Sequence, residues 1–359
     1  MKQSNRITKT AGDEILGCLL GQAVGDSIGL PTEGMKRSRI AKLGWADNLK
    51  HRFFLGRGMV SDDTEHMVMV VRSLVDSGGD VSRFRSSLAA RMRWWFVCLP
   101  AGVGLATAKA CMKNLLFMRN TGVFSAGNGP CMRAGIIGVY AAEDKVLRGE
   151  LVTVSTRLTH TDPKAMYGSM AVAEFCAFVA REKRAPELTE MIEIWNGFGN
   201  DEWQALLDGL RGSLQQAEDS AAYVDRLGCE QGVSGYVYHT IPVLFHVGFS
   251  HGWSYESSIK QIIALGGDTD TTSAILGACA GVLQGEEGIP RDWLYRLRDF
   301  PNGVSALEVC SESLMKGVDQ RGFMRKWAEV IVMPLRNLLF VVVVLIHGFA
   351  RLLPACVLR

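Results

Sequence analysis

The sequence predicts an all-α protein, and three observations predict it. Apolar residues recur at three- and four-residue spacing over long stretches, among them 62–76, 130–142, 165–181 and 233–248. Alternating β-branched runs are scarce. The ten prolines fall mostly between the periodic stretches rather than inside them. No linker, low-complexity stretch or solenoid-length repeat interrupts the pattern. One compact domain is therefore expected over 13–325, with an N-terminal extension over 1–12 and an apolar helical tail over 326–359.

Composition narrows the function classes. At 359 residues and 48% apolar content the chain can bury a sizeable core. A net charge of +2 gives no electrostatic case for nucleic acid or for a strongly acidic partner. The nine cysteines include no Cys-x-x-Cys pair and sit mostly in apolar helical contexts, so they read as small buried hydrophobes in a reducing compartment. At the N-terminus Asp13 and Glu14 interrupt the lead-in to the first apolar stretch and no small-residue cleavage site follows. No signal peptide is expected, and a cytoplasmic protein is.

The first helix, in "GCLLGQAVGDSIG", carries glycines at 17, 21, 25 and 29. Four-residue spacing lines them along one face. Each glycine costs a helix about 1 kcal/mol against alanine, so four on one face imply another backbone packed very close. "GACAG" (277–281) offers a matching small face, and the two helices are expected to touch.

That second helix begins with "GGDTDTT" (266–272), which offers more oxygen donors than one helix cap requires. "SDDT" (61–64) is a second such cluster at a predicted helix start. Taken alone it is a good N-cap. Together the clusters bring Asp62, Asp63, Asp268 and Asp270, and neither "SDDT" nor "GGDTDTT" contains a lysine or arginine. Burying unpaired carboxylates is costly. Divalent cations remove that cost, and carboxylate and hydroxyl ligands suit Mg²⁺ or Mn²⁺ where zinc prefers His or Cys. Two ions about 3.5–4 Å apart could share a bridging aspartate and activate a water. His66 lies on the helix and is left out of the ligand set. Two weaker elements remain. "FSAGNGPCMRAGIIG" (124–138) reads as a small loop opening a helix near Pro130, able to cradle phosphate with backbone N–H groups around Ser125, Gly127, Asn128 and Gly129. In "LTHTDP" (158–163), His160 precedes a helix start; it is either structural or a donor to a ligand.

In the order "GxxxGDxxGxxxE", "SDDT", "PAGVGLAT", "SAGNGPCMRAG", "THTDP" and "GGDTDTTSAILGACAG", the chain resembles the ADP-ribosylglycohydrolase family from about residue 13 to 300. This is the family of the dinitrogenase-reductase-activating glycohydrolase and the (ADP-ribosyl)hydrolases. The resemblance implies a single compact domain of orthogonally packed helices with a dinuclear Mg²⁺ or Mn²⁺ cleft. The implied reaction cleaves the N- or O-glycosidic bond at C1″ of an ADP-ribosyl group on a protein or other acceptor, releasing ADP-ribose. It implies Ser61, Asp62, Asp63, Asp268, Asp270 and Thr271 as metal ligands. Glu33, Asp62 and Asp270 become the catalytic candidates, with Glu33 as general base or proton shuttle. Ser125, Gly127, Asn128, Gly129 and His160 become the ligand-binding set, and Asp26 takes a supporting role behind the metals. Two positions depart from the pattern: Ser61 stands where threonine is common, and Gly102 stands before Val103-Gly104 where the arginine-directed relatives carry aspartate. The competing readings are a protein of the same fold that binds ADP-ribose or a nucleotide without turnover, and a hydrolase of another ribosyl substrate.

The tail reads differently. Its uninterrupted apolar run, Leu338–Ile346, is nine residues, and the uncharged stretch between Arg336 and Arg351 is fourteen. Both fall short of the roughly 20 residues a spanning helix needs. A helix packed on the domain or on a dimer surface is expected, with weak interfacial membrane contact as the alternative.

Overall fold

The computed structural model describes residues 11–351. Residues 1–10 of the N-terminal extension and Cys356 lie outside the described residues. Seventeen α-helices and four short 3₁₀ turns account for the regular structure, and extended pairing among the described residues is confined to isolated bridges. The all-α expectation holds. Helices Asp62–Ser77, Pro163–Glu182 and Val237–Ser250 fall on the predicted periodic stretches.

The stretch at 130–142 differs in form. A 3₁₀ turn, Cys131–Arg133, precedes a seven-residue helix, Ala134–Tyr140. The reason is local. The Cys131 N–H bonds the Asn128 carbonyl (2.8 Å) and the Arg133 N–H bonds that of Pro130 (3.1 Å), so the chain enters through three-residue rather than four-residue closures.

The centre of the fold is the pair of glycine-lined helices, Ala11–Gly29 and Thr269–Gln284. Gly17, Gly21, Gly25 and Gly29 face the carbonyls of Gly281, Gly277, Ser273 and Thr269 in turn, and a Cβ at any of the four would lie inside contact distance of that carbonyl. The close approach predicted from spacing is present along the whole length of the pair. Around it, Leu19, Leu20, Val24, Val70, Phe175, Phe245, Trp253 and Leu276 are fully or almost fully buried in one main core. The eight described cysteines are free and buried, two of them (Cys176 and Cys279) with sulfurs 3.9 Å apart.

The tail is helical as expected, but its apolar helix is longer than the fourteen residues counted between Arg336 and Arg351. It is one helix, Phe323–Ala350, of 28 residues, long and apolar enough by length and composition to cross a membrane. The sequence reading stopped at Arg336, but that side chain turns inward and does not end the helix. Glu329, Arg336, Asn337 and Phe340 are buried against the domain, so the helix does pack on it, along one side only.

Candidate active site

The glycine-lined pair sets where the acids meet. The first helix ends in a 3₁₀ turn, Leu30–Thr32, with Glu33 immediately after it. The Thr269 hydroxyl donates to the Gly29 carbonyl at 2.9 Å, and the Thr32 hydroxyl reaches the same carbonyl at 2.8 Å. One residue further on, the Gly34 N–H donates to Gly267 O (2.7 Å) and the Gly267 N–H to Met35 O (2.8 Å). Gly267 can make this bridge because it has φ +87° and no side chain; a Cβ there would run into the backbone of Val233. Glu33 and the "GGDTDTT" segment are thereby tied together.

Simple capping does not explain Asp268. It stands at the N-cap position of its helix, yet its side chain caps nothing. Its Oδ2 instead accepts from the Asn128 amide at 2.7 Å.

The second cluster is anchored from behind by Asp26 of the glycine helix. Its carboxylate accepts from the N–H groups of Ser61 (2.9 Å) and Thr64 (3.2 Å) and from the Thr64 hydroxyl (2.5 Å). Gln22 reaches the carbonyls of Asp63 and Met132 from the same helix. Ser61 is the N-cap, accepting from the Asp63 N–H at 3.2 Å. Asp63 Oδ2 takes hydrogen bonds from the hydroxyls of Ser61 (3.2 Å) and Thr271 (3.1 Å), which joins the two motifs directly.

Burial and mutual repulsion perturb these acids strongly. Desolvation pushes Asp62, Asp63 and Asp270 well above the usual carboxylate range, and neighbouring carboxylates add to it. Burial raises Asp26 to about 7 against the hydrogen bonds it accepts. Burial and the charge of Asp268 raise Glu33, with Arg351 opposing. Asp63 Oδ1 and Asp270 Oδ1 are buried without a hydrogen-bond partner. Among the described residues none of these carboxylates is in a salt bridge. No group of three Asp, Glu, His or Cys side chains among them is gathered tightly enough to hold an ion as it stands. The donor chemistry nevertheless suits a divalent cation: hard oxygens, excess negative charge and two orphaned buried oxygens.

A cleft of about 380 Å³ opens over this cluster. Glu33, Asp62, Asp268, Asp270 and Thr271 line one wall, and Ser125, Gly127, Asn128, Gly129 and His160 the other. Ser61 and Asp63 lie behind the acidic wall rather than in it. A larger hollow of about 580 Å³ sits elsewhere, between Leu294 and Glu308, and one of its two acids, Asp299, is bound to Arg336.

The loop wall is built differently from the sequence expectation. No long helix starts behind it, and the Asn128 N–H is already bonded to Gly235 O at 2.9 Å. The Asn128 amide is also spent, on Thr240 Oγ1 and Asp268 Oδ2. Asn128 thus orients Asp268, and the backbone cradle cannot use its N–H. His160 is buried, with Nδ1 2.9 Å from the Thr159 hydroxyl. Burial, with Arg133 nearby, lowers it to about 3, so it is neutral at physiological pH. His66, held by Arg133 and edge-on to Trp95, lies away from the cleft.

The model of the family described as ADP-ribosylglycohydrolase matches residues 7–322. The chain belongs to the ADP-ribosylglycohydrolase family. It is 29% identical over 301 residues to an uncharacterised protein of Archaeoglobus fulgidus, covering 80% of this chain and 92% of that one. It is 24% identical over 314 residues to the ADP-ribosyl-[dinitrogen reductase] glycohydrolase of Rhodospirillum rubrum (82% and 95% covered). An ADP-ribosylarginine hydrolase of Serratia proteamaculans is 25% identical over 307 residues (79% and 75%). Among solved structures, one described as an ADP-ribosylglycohydrolase-related protein complex shares the fold, with TM-score 0.59 and 24% identity over 86% of this chain and 98% of that one.

The family match ends one residue before the tail helix begins, yet that helix and its C-cap reach three segments of the candidate site. Arg336 pairs with Glu65 (2.8 Å) and Asp299 and donates to the carbonyl of Val60, next to Ser61. Asn337 donates to the carbonyl of Cys98 (2.9 Å), at the head of the loop that carries Gly102. Arg351 donates to the carbonyls of Glu33 and Leu30. Sequence reasoning took Arg336 and Arg351 as bounds of an apolar run. No local signal links them to partners some 270 to 320 residues earlier in the chain. Arg336→Ala would leave Glu65 and Asp299 buried without their cation, and we expect a loss of about 3–5 kcal/mol of stability. Urea denaturation checks this, and Arg336→Lys should recover part of the loss.

Proposed function

We propose that this chain hydrolyses the glycosidic bond at C1″ of an ADP-ribosyl group carried by a protein or other acceptor. It would do so with two divalent cations, Mg²⁺ or Mn²⁺, held by Ser61, Asp62, Asp63, Asp268, Asp270 and Thr271. The observation that carries this reading is the cluster of desolvated acids, with orphaned oxygens on Asp63 and Asp270, beneath a cleft. Family membership supports glycohydrolysis of ADP-ribosyl groups in general, and the names of the Rhodospirillum and Serratia relatives support the choice of substrate. Bound cations would neutralise the cluster and supply Lewis acidity beside the ribose hydroxyls.

The chain's own groups account for the rest. Positive charge develops at the anomeric carbon as the bond breaks, and the carboxylates of Asp62 and Asp270 stabilise it. Glu33, with its proton affinity raised by burial and by Asp268, accepts a proton from the attacking water and passes it to the leaving oxygen or nitrogen as the C1″ bond breaks, so that the acceptor departs neutral and ADP-ribose is released. Neutral His160 and the small residues Ser125, Gly127 and Gly129 form the side on which the ADP-ribose pyrophosphate lies. Asn128 keeps Asp268 turned into the cleft.

Gly102 bears on the acceptor. It lines the cleft at φ +78°, and a Cβ there would sit 4.0 Å from Asp62 Oδ1. An acid in that place could meet a cationic guanidinium leaving group; glycine offers none. An uncharged acceptor, such as a serine hydroxyl, is therefore favoured over arginine.

The test is a panel of ADP-ribosylated arginine, serine and nucleic-acid substrates with Mg²⁺ or Mn²⁺, scored for released ADP-ribose. Release from none of them would leave ADP-ribose binding without turnover. On the best substrate, Glu33→Gln should keep ligand affinity while turnover falls by roughly 10²–10⁴-fold. A near wild-type rate would remove Glu33 from proton transfer.

A further inference from the structure

From Ile331 to Phe349 the outer face of the tail helix is apolar. Ile331, Leu335, Leu338, Val342, Leu345 and Phe349 recur at three- and four-residue spacing and are 45–70% exposed. Between Trp327 and Phe349 the only charged residues are Glu329 and Arg336, and both are buried on the inner face. From Ile331 to Phe349 the stripe runs about 27 Å at 1.5 Å per residue. Soluble monomers rarely leave a continuous apolar surface of that extent uncovered.

The helix does not cross a bilayer in this arrangement. Glu329 pairs with Arg72 (2.8 Å) and Arg321 (2.7 Å), and Arg336 with Glu65 and Asp299, so its inner face is locked to the domain. Insertion would have to break each of these pairs in the absence of water. What remains available is the outer face, lying parallel to a surface.

The charges beside that face select the surface. Segment 36–57 contains Lys36, Arg37, Arg39, Lys42, Lys50, Arg52 and Arg57 against Asp47 alone, seven basic residues to one acidic. Arg37 pairs with Asp225, and Asp47 with Lys260. The segment packs directly on the C-terminal half of the helix. Phe53 stacks on His347 with ring centroids 4.8 Å apart, Trp45 lies 6.0 Å from the same ring, and Arg39 donates to the carbonyl of Arg351 at 3.0 Å. At the other end Arg72, Arg321, Arg325 and Lys326 pair with Asp319 and Glu329, four cations to two acids. Burial and the neighbouring arginines Arg351 and Arg52 lower His347 to about 4, so it adds no charge of its own at neutral pH. A second copy docked on this face, parallel or antiparallel, would bring basic end to basic end. Anionic lipid headgroups complement both ends and accept the apolar stripe between them.

We propose that the Phe323–Ala350 helix is an in-plane docking face for an anionic membrane surface, with its apolar stripe in the bilayer interface and the basic 36–57 segment on the headgroups. The lipid side is then the side of the helix opposite Arg336 and Asn337, which hold the site segments.

The experiment is sedimentation of the full chain with vesicles of phosphatidylcholine alone and with about 30% phosphatidylserine. Partition onto the anionic vesicles should be at least about tenfold stronger and should weaken with added salt. Leu338→Glu/Leu345→Glu should abolish it while leaving the circular dichroism spectrum and thermal midpoint unchanged, because both side chains are exposed; Leu338→Ala/Leu345→Ala, which adds no charge, should weaken it in the same direction. Three results would overturn the proposal: no partition of the wild-type chain, partition that survives the glutamate pair, or a wild-type dimer by analytical ultracentrifugation that the glutamate pair dissociates. The last would assign the face to a second copy. Vesicle binding is read without substrate, so its failure leaves the hydrolase reading standing.

Discussion

Asp270→Ala is expected to abolish hydrolysis and at the same time to remove at least one equivalent of bound divalent cation. Asp270 is buried at the start of the Thr269–Gln284 helix, faces the cleft, and has an oxygen without a hydrogen-bond partner. Its proton affinity is raised first by desolvation and then by Glu33, Asp268 and Asp63. In the metal-free protein such a group is a liability, because a buried charge with no partner costs free energy. Substitution should therefore do two opposite things. Without metal, the variant should be as stable as the wild type or more so. With Mg²⁺ or Mn²⁺ in excess, the wild type should gain stability by mass action and the variant should gain much less. Calorimetry of metal binding and thermal melts with and without metal read this independently of activity. Full metal content in Asp270→Ala would sink the metal assignment, and a metal-free destabilisation would show that the carboxylate serves packing alone.

Much of this site was legible because its signals are local and chemically unusual. Two oxygen-rich helix starts without basic residues demand a common partner, and Thr271 Oγ1 does meet Asp63 Oδ2. The glycine spacing of the first helix has few explanations other than close backbone approach, and from that approach the meeting of Glu33 with Asp268 and Asp270 followed. The supporting role of Asp26 came from the family resemblance, and its bonds to Ser61 and Thr64 put it behind the second cluster. Where the reading failed, the deciding partner was distant in the chain. The helix expected at Pro130 is a 3₁₀ turn, and the adjoining loop is fixed by the Asn128 N–H on the Gly235 carbonyl and by the Val237 N–H on the Ala126 carbonyl, so the Asn128 N–H offered to a ligand by the sequence reading has a partner far along the chain. Asn128 looked like a phosphate contact for the same reason. The tail shows the limit most clearly. Arg336 interrupts an apolar pattern, and from sequence an interruption reads as an end. Only the fold supplies Glu65 and Asp299, which make an inward-facing arginine compatible with a continuous helix.

The glycine-lined pair predicts a large change in stability. Gly21→Ala adds one methyl group, normally favourable in a helix by up to about 1 kcal/mol. Here the new Cβ would fall inside contact distance of the Gly277 carbonyl and close to the Gly281 Cα, and both belong to backbone that cannot rotate aside. The Gly277 and Gly281 Cβ positions are blocked reciprocally by the carbonyls of Gly21 and Gly17, so neither helix has space to yield. The two axes would have to separate, breaking the Tyr255 hydroxyl bond to the Gly21 carbonyl (2.6 Å) and disturbing the Thr269 bond to Gly29 that fixes Glu33 against Asp268. We expect Gly21→Ala to cost about 3 kcal/mol or more, the upper range for overpacking a core, and Gly21→Val to yield little folded protein, since domains hold only about 5–15 kcal/mol in total. Gly212 supplies the control. It lies within the helix Asp201–Gln215, and a Cβ there would meet nothing within 4 Å. Gly212→Ala should therefore stabilise, by about 0.5–1 kcal/mol. Denaturant midpoints of the two alanine variants should move in opposite directions. If Gly21→Ala moved upward with Gly212→Ala, the helices would not be in backbone contact, and the route by which Glu33 reaches the acids of the second helix would be lost with it.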